Sequence, residues 1–342
     1  MEMRLLQKGI SVAALIGTLA ASSVAQNLFI GFEPPAYSPG TLPGQVSWYL
    51  PVPASSTPWS VYLYASNPLG IGANPGGATQ MIAAVKDTSG FFPRAQKDFA
   101  WNQRTAWLVS YDVYVSFDAT FGDNYDNIGS FSLQPSDTNQ YFIDLFQWVT
   151  PTTAEQVGNP NDGWRMTWVV SDSGGSSTWL VSFSAPNPFH GLQINKWYRR
   201  FVAFDFQGTD HLNRTVPIVV KVGVRDLATG QTWATPVGPT EGFPYWYLVF
   251  AGGRPLPTAF RFFVGGGVGA NQGNMLAVDN IAFTAFSPGD VNMDGCVDDA
   301  DLLEVLFAFG NTGTFMAPDV TGDGTVDDAD LLAVLFAFGS GC

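Results

Sequence analysis

Oxygen-bearing side chains recur at fixed places in two short segments near the end of the 342-residue chain. One segment covers residues 290–301 and the other residues 319–330, an offset of 29 residues. Both carry such side chains at the first, third, fifth, ninth and twelfth places. They are Asp290, Asn292, Asp294, Asp298 and Asp301 in the first segment and Asp319, Thr321, Asp323, Asp327 and Asp330 in the second. A hard dication such as Ca²⁺ takes about six to eight oxygen ligands, and this spacing is typical of a calcium loop.

The other places of each segment also fit a calcium loop. The chain can wrap an ion only if it turns sharply halfway, and Gly295 and Gly324 lie at the sixth place. The seventh ligand is a backbone carbonyl, which Cys296 and Thr325 would supply. The twelfth place holds Asp instead of the longer Glu of the common EF-hand, so a single-oxygen contact plus water is possible there. We predict that the chain binds two calcium ions.

Each loop is followed by one apolar segment that begins with a Leu-Leu pair, at Leu302 and at Leu331. Two such loop-plus-helix units, with Asp in the last loop place, resemble a type I dockerin from Pro288 to Gly341. The resemblance implies a module that folds on calcium and docks a cohesin on a scaffold or cell surface, usually within a secreted polysaccharide-active protein. We therefore expect a dockerin-like calcium-binding domain over residues 287–342, with a cohesin-like or other surface protein as partner.

The two predicted helices are apolar on more than one side. A single amphipathic stripe uses only about three or four positions per two turns. Some of this surface must close the helices on each other, and the rest either meets a partner or rests on the upstream domain. The apolar residues are Leu302, Leu303, Val305, Leu306, Phe307 and Phe309 in one helix and Leu331, Leu332, Val334, Leu335, Phe336 and Phe338 in the other.

The net charge of −14 is concentrated in the same region. Residues 287–342 hold ten Asp and one Glu with no Lys or Arg, whereas the preceding residues carry 15 basic and 18 acidic side chains. The acidity is therefore explained by calcium chemistry. No basic stripe is present for a nucleic-acid partner, and after the leader no stretch is long and apolar enough to span a bilayer.

The first 25 residues read as a secretory signal peptide. Arg4 and Lys8 precede an apolar run, and Ser23-Val24-Ala25 provides small residues before Gln26. We expect a secreted or cell-surface protein, with a retained N-terminal anchor as the alternative. Export permits a disulfide, and the two cysteines of the chain, Cys296 and Cys342, would close 46 residues around both loops.

Residues 26–286 have the composition and periodicity of a β-domain. Gly, Pro and aromatic residues are plentiful and charged residues make up only 13%. From Trp107 to Asp118, apolar odd-numbered residues alternate with more polar even-numbered ones, which indicates a half-buried strand. Similar rhythms occur around residues 179–183, 198–206 and 218–224. Ten or more such strands favour a two-sheet sandwich, joined to the calcium module by the short linker Ser287-Pro288-Gly289.

The order of short motifs in this domain resembles the concanavalin A-like lectin and glucanase jelly roll. A Gly-Phe-Glu opening strand ends at Glu33, and the domain closes with Val278-Asp279-Asn280-Ile281. The resemblance implies a mainly β jelly-roll sandwich in which the first and last strands lie side by side. A generic jelly-roll or carbohydrate-binding sandwich is the alternative.

Such a sandwich could bind a carbohydrate, because aromatic faces stack on sugars while polar side chains take their hydroxyl groups. The candidates are Asp112, Tyr114, Asp144, Trp148, Arg165, Trp197 and Arg199; packing in a core or on a solvated face is the simpler interpretation of each. We expect a secreted calcium-binding protein with a carbohydrate-binding sandwich, polysaccharide being a possible partner.

Catalysis and a structural role are the alternatives. A glycoside hydrolase needs two carboxylates across the sugar bond, which Asp112 and Asp144 could supply if they faced one another on the open sheet. A polysaccharide lyase needs a Tyr or His base beside Arg and Gln or Asn that neutralise the uronate, and His190 and His211 both lie in loop contexts. No catalytic residue is assigned from the sequence. A structural or adhesive envelope protein is the third possibility.

Overall fold

The structure is a computed structural model that describes most of the chain. It covers residues 28–77, 79–87, 89–99, 106–116, 125–134, 142–149, 164–171, 177–179, 192–205, 218–236, 258–265 and 273–342. The predicted signal peptide lies outside these ranges, and so do His190 and His211. No helix in the described ranges combines the length and apolar character needed to cross a membrane.

The described chain is mainly β, as predicted. Its strands are β1 (Leu28–Ile30), β2 (Gly40–Thr41), β3 (Trp48–Tyr49), β4 (Ser56–Pro58), β5 (Ser60–Leu63), β6 (Gln80–Val85), β7 (Phe92–Asp98), β8 (Ala106–Ser116), β9 (Tyr125–Gln134), β10 (Phe142–Val149), β11 (Trp164–Ser171), β12 (Ser177–Trp179), β13 (Trp197–Asp205), β14 (Ile218–Asp226), β15 (Thr232–Pro236), β16 (Ala259–Val264) and β17 (Met275–Ala285). Two α-helices follow, α1 (Asp299–Ala308) and α2 (Asp328–Ala337).

The strands form two sheets. Sheet A has the order β15-β14-β13-β8-β17-β6-β5-β2, with β1 also paired to β17. Sheet B has the order β12-β11-β10-β9-β16-β7-β3, with β4 also paired to β7. All pairs are antiparallel except β4 with β7. Leu28 of β1 pairs with Phe283 of β17, so the expectation that the first and last strands lie side by side is confirmed.

A core of alternating apolar side chains lies between the two sheets. In β8, Val109, Tyr111, Val113 and Val115 belong to this core, which confirms the predicted period of two. Sheet B contributes side chains such as Phe262 of β16 to the same cluster. Rings make up much of the interior, and Tyr111 and Phe262 meet edge to face with centroids 5.4 Å apart.

The opposite face of sheet A is also covered, in three sections along β8. Leu108 lies under residues of the C-terminal segment. Tyr114 belongs to a second apolar cluster with Ile71, from the segment that follows β5. Asp112, between them, is fully buried among polar partners. Alternation along a strand identifies its two faces, but it does not reveal what covers the outer one.

The C-terminal segment, residues 287–342, packs against sheet A through its loops. Val291, Val297 and Val326 share an apolar cluster with Phe201 of β13 and Ala234 of β15. At the margin of this contact, Arg225 of β14 donates a hydrogen bond of 3.2 Å to Glu304 of α1, and Trp233 of β15 forms a β-bridge with Met316. The module therefore lies on the face of sheet A.

One predicted alternation fails in β14. The sequence pattern places Val220 on the same face as Val222 and Val224, which do lie in the central core. Val220 instead packs against the cluster beneath the C-terminal segment. The register between β13 and β14 shifts after Ala203, so that Lys221 and then Val219 pair with consecutive residues of β13. This β-bulge turns Val220 to the outer face.

Candidate functional site

The first-place aspartates organise the two acidic loops in the same way. Asp290 accepts hydrogen bonds from the backbone N–H groups of Asp294 (3.1 Å) and Gly295 (2.9 Å). Asp319 accepts the equivalent bonds from Asp323 (3.1 Å) and Gly324 (2.8 Å). Both glycines have positive φ, +96° and +87°, which is the sharp turn that the sequence predicts at the sixth place.

The twelfth-place aspartates close each loop onto the helix that follows. Asp301 accepts the N–H groups of Val291 (2.7 Å) and Asp298 (2.9 Å), and it forms a capping box with Asp298 at the start of α1. Asp330 repeats this arrangement at the start of α2. Because the last loop residue is also the third residue of the helix, loop closure and helix initiation depend on one carboxylate.

The electrostatics of the first loop favour a cation. Burial, together with the nearby charges of Asp301 and Asp294, raises the pKa of Asp290 to about 7. Within the described ranges, no three Asp, Glu, His or Cys side chains converge as a ready coordination cluster. The loop carboxylates accept N–H bonds, and an ionised carboxylate has further lone pairs to offer an ion. The donor set therefore fits a hard cation after side-chain adjustment.

A disulfide between Cys296 and Cys342 joins the chain end to the first loop, which confirms the predicted bond. It extends a backbone pairing, since the N–H of Gly339 donates to the carbonyl of Val297 (2.8 Å) and the N–H of Val297 to the carbonyl of Ser340 (2.9 Å). The segment after α1 makes the same two bonds to Val326 of the second loop. The two loop-plus-helix units thus clasp each other reciprocally.

Most of the apolar helix surface is exposed. Only Val305 and Val334 are fully buried among the predicted apolar residues. Phe307 and Phe336, at the same place of the two helices, are 84% and 87% exposed. We call the exposed apolar side chains of the two helices the helix-pair surface; they are Leu303, Leu306, Phe307, Phe309, Leu332, Leu335, Phe336 and Phe338. Of the two alternatives for this surface, contact with the upstream domain is wrong for Phe307 and Phe336, which are almost fully exposed.

Between the sandwich and the loops, Lys221 of β14 points into a cavity of about 320 Å³. Asp319, Asp205 and Phe286 also line it. The Lys221 side chain is only 6% exposed, and its Nζ atom has no hydrogen-bond partner among the described residues. Burial lowers the pKa of Lys221 to about 8, although the charges of Asp290, Asp319 and two other loop aspartates oppose this shift.

Four of the predicted carbohydrate-binding residues gather on the outer face of sheet A. The Nε atom of Arg199 donates to Oδ1 of Asp112 over 2.7 Å, and the rings of Tyr114 and Trp197 lie 5.5 Å apart. Of these four, only Arg199 retains appreciable exposure, because Tyr114 and Trp197 are buried under the segment around Ile71. Neither ring is open for stacking on a sugar in this structure, and the binding role stays a prediction.

The remaining candidates lie on sheet B. Asp144 and Trp148 are in β10 and Arg165 is in β11, and their side chains lie outside the described part of the structure. Asp144 and Asp112 belong to different sheets, so the suggestion that they face one another on one open sheet is wrong. Asp144 pairs in backbone register with Phe131 of β9. The sequence could not exclude the pair because strand order is not encoded locally.

Asp112 instead belongs to a buried polar cluster with Asp279 of β17. Asn280, which adopts a positive φ of 49°, donates to Asp112 (2.8 Å), and Tyr64 donates to Asp279 (2.9 Å). Burial raises the pKa of Asp279 to about 7, with the charge of Asp112 adding to the shift and the bond from Tyr64 opposing it. With its charged groups paired inside the fold, this cluster fixes the segment around Asn74 to sheet A.

Sequence reasoning missed a hydrogen-bonded relay on sheet B. Arg261 of β16 donates through Nε to the amide oxygen of Gln96 over 2.7 Å. The Gln96 amide nitrogen donates to the Tyr49 hydroxyl, which donates to Asp98 over 2.8 Å. We call these four residues the sheet-B relay. They come from β3, β7 and β16, which are adjacent in the sheet but distant in the sequence.

The relay has the residue types that elimination on a uronate needs. Burial and the neighbouring Asp98 raise the pKa of Tyr49 to about 12, while the bond from Gln96 and the charge of Arg261 oppose the rise. Tyr49 is therefore protonated at rest, and Asp98 is placed to accept its proton. The run of polar residues Gln96, Lys97 and Asp98 in β7 was the available signal, but the register that unites the relay was not predictable from the sequence.

Comparisons with known proteins give only distant similarities. No family model and no curated protein matches the chain. Among solved structures, it is similar to a mutant of HCR/D (TM-score 0.41, 12% identity, 83% of this chain and 52% of that chain). It is also similar to a mutant of the alginate lyase Aly36B in complex with an alginate tetrasaccharide (0.38, 12%, 77% and 98%).

A third similar structure is an endo-β-1,4-glucuronan lyase from the fungus Trichoderma reesei (TM-score 0.36, 12% identity, 78% of this chain and 98% of that chain). The chain spans about half the length of HCR/D. These neighbours include polysaccharide lyases built as β-sandwiches, but at such TM-scores the similarity carries no argument about activity.

Proposed function

We propose that the C-terminal segment binds two calcium ions, one in each acidic loop. The observation that carries the proposal is the repeated loop structure. In it, Asp290 and Asp319 accept equivalent hydrogen bonds from backbone N–H groups at a sixth-place glycine. Side-chain oxygens of the first, third, fifth, ninth and twelfth places, with the seventh-place carbonyl, would hold each ion. A bound ion would offset the mutual repulsion of the loop carboxylates and stabilise the fold of both units.

Isothermal titration calorimetry of the full-length protein with CaCl₂ tests this proposal. We expect two ions per chain and a calcium-dependent rise in melting temperature. The double variant Asp290→Ala with Asp319→Ala should lose both effects, whereas Asp299→Ala with Asp328→Ala, which removes the same two charges at the exposed tenth places, should retain them. No calcium uptake by the wild type at millimolar concentration would reject the proposal.

We propose further that the helix-pair surface docks the protein to a cohesin-like or other surface protein. Eight exposed large apolar side chains in two matching sets support this role, because contiguous apolar surface of this kind typically marks an interaction site. The signal-peptide pattern and the disulfide are consistent with work outside the cell. The dockerin-like identity of residues 287–342 is part of this proposal.

Surface plasmon resonance against a panel of immobilised cohesin modules tests the docking. The variant Phe307→Asp with Phe336→Asp should abolish binding that the wild type shows in calcium. Phe29→Asp is the matched control, since Phe29 is also exposed but lies on β1 of the sandwich. Binding that survives the double substitution would exclude the helix-pair surface, and binding by no cohesin would reject the dockerin-like assignment.

For the sandwich, the sheet-B relay favours a second function, elimination on a uronate polymer, over simple carbohydrate binding. Half-buried Tyr49 and exposed Asp98 are the members of the relay that a substrate can reach, whereas Gln96 and Arg261 are buried and would act through the Tyr49 hydroxyl. In the proposed step, the Tyr49 oxygen accepts the proton from the carbon beside the uronate carboxyl group as its own hydroxyl proton passes to Asp98. The C–H electron pair forms the double bond while the adjacent glycosidic C–O bond breaks, and the leaving oxygen takes the proton from Asp98. The burial of Tyr114 and Trp197 weakens the case for stacking on sheet A.

A screen of the purified protein on alginate, glucuronan and a neutral glucan tests the second function. Elimination creates a conjugated double bond, so we expect ultraviolet absorbance to increase with the uronate polymers only. Tyr49→Phe should lower the rate at least about 100-fold, while Tyr62→Phe, on sheet A, should leave it unchanged. Absence of lyase activity in the wild type would leave binding or a structural role as the function of the sandwich.

A further inference from the structure

Lys221 is a cation of the sandwich whose charge interacts with aspartates of both acidic loops. Its side chain is buried under the C-terminal segment, and within the described part of the chain its Nζ atom has no hydrogen-bond partner. The acidic groups that act on its charge most strongly are Asp290, Asp319, Asp301 and Asp330, the first-place and twelfth-place residues of the two loops.

Several features keep this ammonium group in place. Lys221 is held in β14 by pairing with Ala203 of β13 on one side and Pro236 of β15 on the other. The bulge at this point directs Val220 and Lys221 to the cavity beneath the loops. The adjacent packing of Val291 and Val326 against sheet A excludes bulk solvent, which would otherwise screen the charge.

We propose that Lys221 is a built-in counter-ion of the two loops and sets their calcium affinity by competing electrostatically with the bound ions. This inference rests on the proposed calcium function and adds a residue outside the loops to it. In the metal-free protein the ammonium charge offsets the repulsion among the four aspartates. When calcium enters, two dications approach the same charge, and the repulsion weakens binding at both loops.

Calorimetry of the full-length protein with CaCl₂ tests the inference. Removing the charge while keeping most of the side-chain length, in Lys221→Met, should tighten calcium binding by about tenfold, because a positive charge that solvent does not screen repels the bound dications over several ångströms. Lys221→Arg keeps the charge and should bind calcium as the wild type does. Lys97→Met, on sheet B, removes a half-buried lysine from the opposite side of the sandwich and should have no effect.

The outcomes separate this inference from the calcium proposal itself. If the wild type takes up no calcium, the proposed function fails before Lys221 is tested. If the wild type binds two ions and Lys221→Met binds them with unchanged or weaker affinity, the counter-ion role is wrong. Should Lys221→Met not fold, Lys221→Gln provides a second uncharged variant, and tighter binding by either variant supports the role. Tighter binding by Lys97→Met as well would overturn it by indicating a net-charge effect.

Discussion

The two loop-plus-helix units have nearly the same sequence and the same internal hydrogen bonds, yet they are secured differently. In the second unit, Thr325 forms a β-bridge with Thr312, in the chain that continues after α1. In the first unit, the equivalent position is Cys296, and the partner strand is the chain end, held by the disulfide to Cys342. A disulfide thus secures the first unit at the place where a β-bridge pairs the second.

The units also meet the sandwich differently. Glu304 of α1 pairs with Arg225 of β14, and the equivalent residue of α2 is Ala333, which has no charge. Asp319 of the second loop lines the cavity that contains Lys221. The comparison shows that the loop sequence determines the hydrogen bonds within each unit. Residues outside the repeat determine how each unit is attached to the rest of the protein.

The two loops should differ most in calcium binding when one first-place aspartate is removed at a time. Asp290→Ala and Asp319→Ala should each eliminate one bound ion and leave the other, because each carboxylate organises only its own loop. We expect the affinity of the altered loop to fall at least about 100-fold, since even second-shell changes cost 10–100-fold. Native mass spectrometry would count the ions. Loss of both ions from one substitution would show that the copies act as a unit.

Removing the disulfide should affect the first copy more than the second. Cys296→Ser with Cys342→Ser should lower the free energy of unfolding by about 4 kcal/mol, because the bond closes a loop of 46 residues. Hydrogen exchange should increase most at Val297 and Gly339, which pair beside the bond. Equal increases in the second loop would contradict the idea that the disulfide secures only the first copy.

The first loop should also respond to pH. The pKa of Asp290 is raised to about 7, so the metal-free native state holds a proton that the unfolded chain releases near its ordinary pKa. Between the ordinary pKa of an aspartate and about pH 7, the stability contributed by Asp290 is greatest at low pH and declines as the pH rises. Burial and the negative charges of Asp301 and Asp294 raise the pKa of Asp290, and the positive charge of Lys221 lowers it.

Calcium must displace that proton, so the affinity of the first loop should fall by up to about tenfold per pH unit between about pH 7 and 5. Calorimetry at several pH values on Asp319→Ala, which keeps only the first site, measures this dependence. An affinity that does not change between about pH 7 and 6 would show that Asp290 is ionised before calcium arrives.

The smallest effect should come from the ion pair to the sandwich. Glu304→Gln should destabilise the protein by less than about 1 kcal/mol, because both side chains are partly exposed and solvent screens the pair. Ala333→Gln is the corresponding change in the second copy and should be neutral within error. Chemical denaturation of both variants gives the comparison, and a loss above about 2 kcal/mol would mean that Glu304 has a further role.

Local patterns predicted much of this molecule. The spacing of aspartates and glycines predicted both turns, and the alternation in β8 identified the inner face. Both helices begin three residues before the predicted Leu-Leu pairs, at Asp299 and Asp328, because capping boxes start them there. The disulfide followed from having only two cysteines in a chain whose first residues predict export. Each of these features depends on residues close in sequence or on a unique pairing.

Long-range pairing is what the sequence could not provide. Tyr49, Gln96 and Arg261 meet only because β3, β7 and β16 are neighbours, and no local signal specifies that order. For the same reason, the polar face of β8 was expected to be open, although the segment around Ile71 and the C-terminal loops cover it. The β-bulge beside Lys221 could not be predicted either, because polar and apolar residues alternate regularly in the sequence of β14.

The continuation of β17 into the first loop has a mechanical consequence. β17 pairs with β8 on one side and with β6 and β1 on the other, and the first loop begins five residues after it ends. Tension applied to the helices by an attached partner would enter the sandwich along this interior strand. Rupture would then require whole ladders to slide at once, so the attachment point should resist pulling better than one made through an edge strand.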